Sequence, residues 1–224
     1  MNLNGAIYAQ MVSKMESKTP QTAVLIDPDK NQEKNLELFV KKIEKTSTDY
    51  IFVGGSLIFY DIDKCISIIK DNTSKPVIIF PGSHTHISEK ADAILLLSLI
   101  SGRNPEYLIG NHVIAAPRLY ESSLEIISTA YILFNGGSCT SVEYISNTKS
   151  IPSDKHDIAL ATAMAGEMTG NKLIYLETGS GAKSMVPSES IKQISNHCNI
   201  PVIVGGGIKS ADNLQQVFNS GASI

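Results

Sequence analysis

The chain has 224 residues, 42% of them hydrophobic, and a formal net charge of −3. That length suits one (βα)8 barrel, which typically needs roughly 250 residues, or two small domains. The 19 basic and 22 acidic residues form no basic block, which argues against a nucleic-acid-binding surface. Cys65, Cys139 and Cys198 are too widely spaced to predict a disulfide framework or a zinc site, and they favour a reducing cytoplasm.

The beginning of the chain predicts a short helix, because apolar residues recur there at helical spacing (Ile7, Met11, Val12 and Met15). No charged start is followed by an apolar block, so we expect no signal peptide. The longest nearly unbroken apolar run, residues 93–100, is too short to cross a bilayer. We therefore expect a cytoplasmic protein with at most peripheral membrane contact.

After Pro20 the sequence alternates between short apolar segments and helical patterns. The apolar segments end in glycine, proline, serine or aspartate, as strands of a parallel sheet buried on both faces do. They read TAVLIDPDK, DYIFVGGS, KPVIIFPGS, DAILLLSLISG, AYILFNGGS, KLIYLETGSGA and IPVIVGGGI. Helical patterns lie between them, for example in residues 31–45, 157–169, 188–197 and 210–220.

This alternation predicts an α/β fold with one domain over residues 1–224, either a (βα)8 TIM barrel or a doubly wound sheet. The barrel is favoured because the SHTHISEK link between the third and fourth strands is too short for an ordinary crossover helix. We expect the third helix to be missing or replaced. Residues 221–224 look like the start of an eighth strand, which we expect to be incomplete in this chain.

Two glycine-rich stretches follow the sixth and seventh predicted strands. In barrels of this kind, the functional residues lie in the loops that follow the strands. The two stretches are residues 178–182 (TGSGA) and 205–210 (GGGIKS), the latter with Ser210 as a candidate N-cap. Glycine lets the backbone approach an anion, and the amides at a helix start point toward it. The pair predicts a phosphate site, with tight turns as the alternative.

Carboxylates also stand at predicted strand ends. Asp27 ends the first strand and Ser56 the second, a pairing of oxygens that suits Mg²⁺; capping of the following turn by Asp27 is the alternative. Glu177 ends the sixth strand, where it could act as a general base or form a structural salt bridge. Arg103 follows the fourth strand and suits either a second phosphate or a solvated loop. His84 has no evident metal-ligand partners beyond His86, so the pair is interpreted as loop residues.

The segments LIDPDK, FVGGS, IIFPGS, RNPEYLIGNH, YLETGSGA and PVIVGGGIKS, taken in order, closely resemble the geranylgeranylglyceryl phosphate synthase family, which includes the heptaprenylglyceryl phosphate synthases. The resemblance implies a barrel that lacks the ordinary third helix and is commonly oligomeric. It also implies Mg²⁺-dependent transfer of a prenyl group, with C20 as the default, from a prenyl diphosphate to the C3 hydroxyl of sn-glycerol 1-phosphate. The product is the first ether of archaeal-type phospholipid biosynthesis.

The resemblance also assigns residues. It implies that Asp27 and Ser56 bind magnesium and that Glu177 binds the glycerol hydroxyls and removes the proton of the attacking one. The residues implied to hold sn-glycerol 1-phosphate are Tyr175, Leu176, Glu177, Thr178, Gly179, Ser180, Gly181, Gly206 and Gly207.

Two departures from the family pattern accompany this resemblance. One branch carries a lysine where this chain has Leu25, so no phosphate-binding role falls to that position. A further phosphate-contacting turn follows the eighth strand in the family, beyond Ile224. Two alternatives remain: another phosphate-binding barrel enzyme, such as a phosphosugar isomerase, a lyase or a flavin oxidoreductase, and a non-catalytic phosphate-ligand binding barrel.

Overall fold

A computed structural model describes residues 5–30 and 33–224, without the side chains of residues 33 and 34. The first two residues of the helical pattern predicted for 31–45 therefore lie outside the described part. The chain divides into two compact units that are each discontinuous in sequence. The first comprises Met1–Gln10, Gln21–Leu96 and Asn111–Ile127, and the second Met11–Pro20, Leu97–Gly110 and Ser128–Ile224. The single domain over residues 1–224 stays a prediction.

The first unit contains short parallel strands rich in Ile and Val. They are β1 (Ala23–Ile26), β2 (Tyr50–Gly54), β3 (Val77–Phe80) and the start of β4 (Ala93–Leu99). β2 and β3 are fully buried, as predicted, whereas only Ile26 of the first strand is buried and Leu25 is 43% exposed. Their register pairs Val24 with Ile51, Phe52 with Ile78, and Ile79 with Ile94. Helices α2 (Glu33–Glu44), α3 (Ile62–Lys70) and α4 (Asn111–Glu121) follow β1, β2 and β4 in the chain. Parallel pairing brings the carboxyl ends of these strands to one edge.

The second unit repeats this arrangement. Its strands are the end of β4, most of β5 (Glu125–Leu133), β6 (Leu173–Glu177) and β7 (Val202–Gly205), and Tyr131, Tyr175 and Ile203 lie in register across the last three. Its helices are a π-helix (Glu106–Gly110), α5 (Ser141–Ser146), α6 (His156–Met168), α7 (Ser188–His197) and α8 (Ala211–Asn219). Its core includes Ala163 of α6, Ile174 of β6 and Ile191 of α7.

The structure confirms the main predictions of fold. Within each unit the order of the paired strands follows the chain. Residues 81–92, between β3 and β4, contain no helix, as the short link predicted. The amide of Ser223 donates to the carbonyl of Val202 at 2.8 Å, and the amide of Val204 donates to the carbonyl of Ile224 at 3.0 Å, so the last residues pair with β7. Among the described residues, no helix has the length and apolar character needed to cross a membrane.

Strand β5 is longer than its apolar segment predicted, because it begins at Glu125 rather than near Ala130. Glu125 is only 4% exposed, and its carboxylate accepts hydrogen bonds from the amides of Ile7 (3.0 Å) and Tyr8 (2.7 Å). These amides open helix α1 (Ala6–Glu16), where a negative charge is favourable. The polar residue that obscured the strand in the sequence thus caps the predicted N-terminal helix.

Candidate active site

Glu177 is the last residue of β6, a strand whose residues are all buried, and it is itself 6% exposed. Its Oε1 accepts a hydrogen bond from the amide of Gly179 at 2.6 Å, and the hydroxyl of Tyr175 donates a further bond to the carboxylate. Glu177 forms no ion pair with any residue that the structure describes. The structural salt bridge that the sequence left open therefore has no partner in the described residues.

Burial raises the pKa of Glu177 from 4.5 to about 7, against the opposing effects of the hydrogen bonds from Gly179, Thr178 and Tyr175. Burial together with the charge of Glu177 also raises the pKa of Tyr175 well above its ordinary value, so the phenol stays protonated and donates. A carboxylate that titrates near neutral pH, in a buried site, has the properties of a general base.

The glycines at and just after the end of β7 leave the space that this carboxylate occupies. A Cβ atom on Gly205 would lie 2.6 Å from the hydroxyl of Tyr175 and 2.9 Å from Oε2 of Glu177. A Cβ atom on Gly206 would lie 2.4 Å from Oε1 of Glu177 and 2.5 Å from Oγ1 of Thr178. Distances below about 3 Å are steric clashes, so only glycine lets the backbone of this loop approach the end of β6.

Both glycine-rich loops also use left-handed backbone conformations, with φ values of +93° at Gly179, +76° at Gly181, +81° at Gly206 and +68° at Gly207. The loop after β7 leads into α8, whose N-cap is Ser210, as predicted, with its hydroxyl accepting from the amide of Asn213 at 3.2 Å. The conformations satisfy the tight-turn alternative as well as the phosphate interpretation. The phosphate interpretation adds a reason for two such loops on adjacent strands.

The hydroxyl of Thr178 is buried and has no hydrogen-bond partner within the described part of the chain. A buried polar atom of this kind costs about 1–3 kcal/mol unless something binds it. It lies beside Gly206, in the loop predicted to hold a phosphorylated ligand. Leu176 is fully buried in the core and could contact a ligand only through its backbone, whereas Ser180 is exposed.

The predicted magnesium ligands lie in the first unit. Asp27 Oδ1 accepts from the amide of Asp29 at 3.1 Å, and Oδ2 lies 3.0 Å from Nζ of Lys30. The turn-capping alternative is thus realised in the geometry. Both carboxylate oxygens of Asp27 keep further lone pairs that can bind a cation. A Cβ atom on Gly55 would lie 3.5 Å from Asp27 Oδ1, so the β2 loop that carries Ser56 passes close to this carboxylate.

This donor set fits Mg²⁺ rather than a metal that needs a dedicated cage. Among the described residues, no group of three or more His, Cys, Asp or Glu could hold a metal ion. Mg²⁺ commonly binds one or two protein oxygens and takes its other ligands from substrate phosphates and water. One carboxylate, Asp27, and one hydroxyl, Ser56, satisfy that requirement.

Several neighbours of these sites could not be identified from the sequence. Asp29 accepts from the amides of Phe59 at 3.1 Å and Tyr60 at 2.7 Å, which anchors the loop after β2. The ring centroids of Tyr131 and Tyr175 lie 5.5 Å apart. In the sequence both tyrosines belong to apolar segments and look like core residues. The second aspartate of the DPDK motif was the one available signal for Asp29.

The loop residues named in the sequence have distinct environments. His84 Nδ1 lies 2.9 Å from Oδ1 of Asn111, and His86, 9% exposed, accepts a hydrogen bond from the amide of Gly82. Arg103 has a left-handed φ of +55° and borders a groove of about 460 Å³ along α6, together with Ile100 and Ala161. A second phosphate at Arg103 stays a prediction.

Parallel strands that alternate with helices, and a buried carboxylate at a strand end, define a (βα)-barrel enzyme. The PcrB family matches residues 15–224, and the chain belongs to that family. It is 48% identical to a geranylgeranylglyceryl phosphate synthase of Flavobacterium johnsoniae, over 97% of this chain and 90% of the relative. It is 44% identical to one of Chitinophaga pinensis, over 99% of this chain and 88% of that protein.

Solved structures give the same result. The crystal structure of (S)-3-O-geranylgeranylglyceryl phosphate synthase from Thermoplasma acidophilum, in complex with sn-glycerol-1-phosphate, superposes with a TM-score of 0.91 at 34% identity. The superposition covers 98% of this chain and 88% of the T. acidophilum chain. The wild-type enzyme from Thermoplasma volcanium has the same TM-score at 35% identity. The predicted barrel fold and the predicted enzyme family are confirmed.

Proposed function

We propose that this chain transfers a prenyl group, geranylgeranyl in the first instance, from its diphosphate to the C3 hydroxyl of sn-glycerol 1-phosphate. The observation that carries this proposal is Glu177, a buried carboxylate with a pKa of about 7 and no ion pair among the described residues. It lies between two glycine-rich loops that suit a phosphate. Relatives from F. johnsoniae and C. pinensis carry the name of this activity.

Glycerol 1-phosphate would bind at the ends of β6 and β7. The amides of Gly206 and Gly207, which lead toward α8, would face the phosphate, since their left-handed conformations expose backbone N–H groups. The unpartnered hydroxyl of Thr178 would gain a partner in the ligand. Tyr175, Leu176, Gly179, Ser180 and Gly181 would complete this site.

Glu177 would remove the proton of the C3 hydroxyl while the glycerol oxygen attacks the allylic C1 of the prenyl diphosphate. The new C–O bond forms as the bond between C1 and the diphosphate oxygen breaks, and the proton ends on Glu177. Tyr175 donates to the carboxylate and would fix its orientation. Holding the hydroxyl at a set distance from the allylic carbon supplies much of the acceleration.

Asp27 and Ser56 would hold Mg²⁺ together with the diphosphate of the donor. When bound, the ion would neutralise the charge that develops on the leaving diphosphate. Asp29 would contribute indirectly, because it anchors the loop that carries Ser56 through the amides of Phe59 and Tyr60.

The cellular setting is part of the same proposal. The absence of a membrane-crossing helix among the described residues is consistent with a cytoplasmic enzyme in peripheral contact with a membrane. The product would enter ether phospholipid biosynthesis, and the enzyme would work as a homo-oligomer.

The test is a transfer assay with labelled geranylgeranyl diphosphate, Mg²⁺ and either enantiomer of glycerol phosphate. Butanol-extractable product with the 1-phosphate alone, abolished by EDTA and strongly reduced in Asp27→Ala, would support the proposal. Equal product from sn-glycerol 3-phosphate, or no product from either, would contradict it. Shorter and longer donors would then define the preferred chain length.

A further inference from the structure

The link between β3 and β4 contacts the loop that carries Ser56. A Cβ atom on Gly82 would lie 2.2 Å from the carbonyl oxygen of Gly55 and 2.9 Å from Cα of Ser56. Backbone therefore packs on backbone at this point, with no side chain between them. If Gly82 moved toward this loop, it would displace the main chain of Ser56, because closely packed backbone cannot be compressed.

Gly82 is held in place by one side chain. Its amide donates a hydrogen bond to Nδ1 of His86 at 3.2 Å, which closes a short turn. The amide of His86 in turn donates to the carbonyl of Ser83 at 3.1 Å. The next residue, Ile87, is 3% exposed, and its carbonyl accepts from Arg118 at 2.9 Å. The imidazole thus connects an anchored segment to Gly82.

The chemistry of this bond requires a neutral imidazole. A backbone amide can only donate, so Nδ1 of His86 must carry its lone pair and Nε2 the proton. Burial is the main cause that lowers the pKa of His86; the neighbouring His84 lowers it further and Asp29 opposes. The imidazole is therefore neutral at neutral pH and available as an acceptor.

We infer that His86 is a positioning residue for the magnesium diphosphate site: its bond to Gly82 fixes the backbone of Ser56. This inference rests on the proposed function, because it takes Ser56 as a magnesium ligand. A merely structural role would stabilise the link between β3 and β4 without any effect on diphosphate affinity. The sequence predicted only that His86 is a loop residue, and it predicted neither the burial of His86 nor its hydrogen bond with the amide of Gly82.

Matched variants separate the two roles. Oδ1 of His86→Asn occupies nearly the place of Nδ1 and keeps the acceptor, whereas His86→Leu removes it at similar volume. His84→Ala, on the same link, controls for general loosening. Titration calorimetry would measure the affinity for inorganic pyrophosphate with Mg²⁺ and, separately, for sn-glycerol 1-phosphate.

We expect His86→Leu to weaken pyrophosphate binding roughly tenfold, as the loss of one buried hydrogen bond implies. His86→Asn and His84→Ala should stay within about threefold of the wild type, and glycerol phosphate affinity should not change. Equal pyrophosphate affinity in His86→Leu, or an equal loss in His84→Ala or His86→Asn, would overturn the inference. A wild-type protein that binds no pyrophosphate with Mg²⁺ would overturn the proposed metal site as well.

Hydrogen exchange gives a readout that needs no ligand and tolerates a milder change. In His86→Gln, a polar side chain remains but no acceptor lies at the place of Nδ1. Amides in peptides that cover residues 82–88 and 55–60 should both exchange faster than in the wild type and in His86→Asn. Faster exchange confined to residues 82–88 would show that the link does not position Ser56, and the inference would fail.

Discussion

Gly206 packs directly against the carboxylate of Glu177: a Cβ atom on Gly206 would lie 2.4 Å from Oε1. The glycine at the end of one strand and the acid at the end of its neighbour therefore share a space that admits no side chain. This relationship explains why the two motifs occur together, and it provides the first prediction.

Gly206→Ala should abolish binding of glycerol phosphate, because the methyl group displaces Glu177 or Thr178. Its φ of +81° adds a strain of about 1–2 kcal/mol for alanine. Gly170→Ala is the matched control, with a φ of +88° and nothing within 4 Å of the added atom. Both variants should lose stability from this backbone strain in denaturant melts, Gly206→Ala the more because of its steric clash, and only Gly206→Ala should lose ligand binding. Intact binding in Gly206→Ala would contradict the described contact.

The pH dependence of transfer should report Glu177. The base is the ionised form, and its pKa is about 7, so kcat/KM should fall up to about tenfold per pH unit below that value and level off above it. A profile measured between about pH 5.5 and 8.5 is sufficient. A rate that is flat through this range would mean that another group accepts the proton.

Stability should respond to the same carboxyl with the opposite trend. Folding raises the pKa of Glu177 from 4.5 to about 7, so its contribution to stability is full below pH 4.5 and is lost as the pH rises through 7. Glu177→Gln has no such titration. The melting temperature of the variant relative to the wild type should therefore increase between pH 5 and pH 8. A difference that does not change with pH would show that burial does not perturb this group.

Thr178→Val tests the unpartnered hydroxyl. Without ligand, the variant should be as stable as the wild type or more stable by up to about 1 kcal/mol, since the hydroxyl has no partner in the described chain. Affinity for sn-glycerol 1-phosphate should fall by roughly tenfold, because one hydrogen bond to the ligand is lost. Calorimetric titration measures the second effect. A stability loss with unchanged affinity would assign the hydroxyl a structural role.

Glu125→Gln should weaken the attachment of α1. The carboxylate accepts from the amides of Ile7 and Tyr8, and a neutral amide serves a helix start less well, at a cost of about 1–2 kcal/mol. The exposed Glu189→Gln, in the first turn of α7, should change stability by less than about 0.5 kcal/mol. Chemical denaturation compares the two, and equal effects would refute the capping role.

The sequence predicted the parts of this protein that depend on local chemistry. Buried parallel strands are largely apolar, glycines mark left-handed turns, and a link of few residues cannot hold a helix. The strand ends predicted from the sequence therefore agree with the observed ends of β1, β2, β6 and β7, at or just beyond which Asp27, Ser56, Glu177 and Gly206 lie.

What the sequence could not show depends on contacts distant in the chain. Glu125 interrupts an apolar pattern, because its carboxylate accepts a hydrogen bond from the amide of Tyr8 in α1, which lies 117 residues away in the chain. The pKa of Glu177 follows from burial by the surrounding fold rather than from its neighbours in sequence. His86 lies in a polar loop sequence, and only the structure shows that its ring bonds to Gly82.

Glu177 is the proposed acceptor of the proton of the glycerol hydroxyl. The most direct measurement is single-turnover transfer by Glu177→Gln beside the wild type, with the affinity for sn-glycerol 1-phosphate measured in parallel. We predict a rate lower by at least about a hundredfold and an affinity within about threefold, because the amide keeps the shape and loses the base. A variant that transfers the prenyl group at the wild-type rate would contradict this role of Glu177.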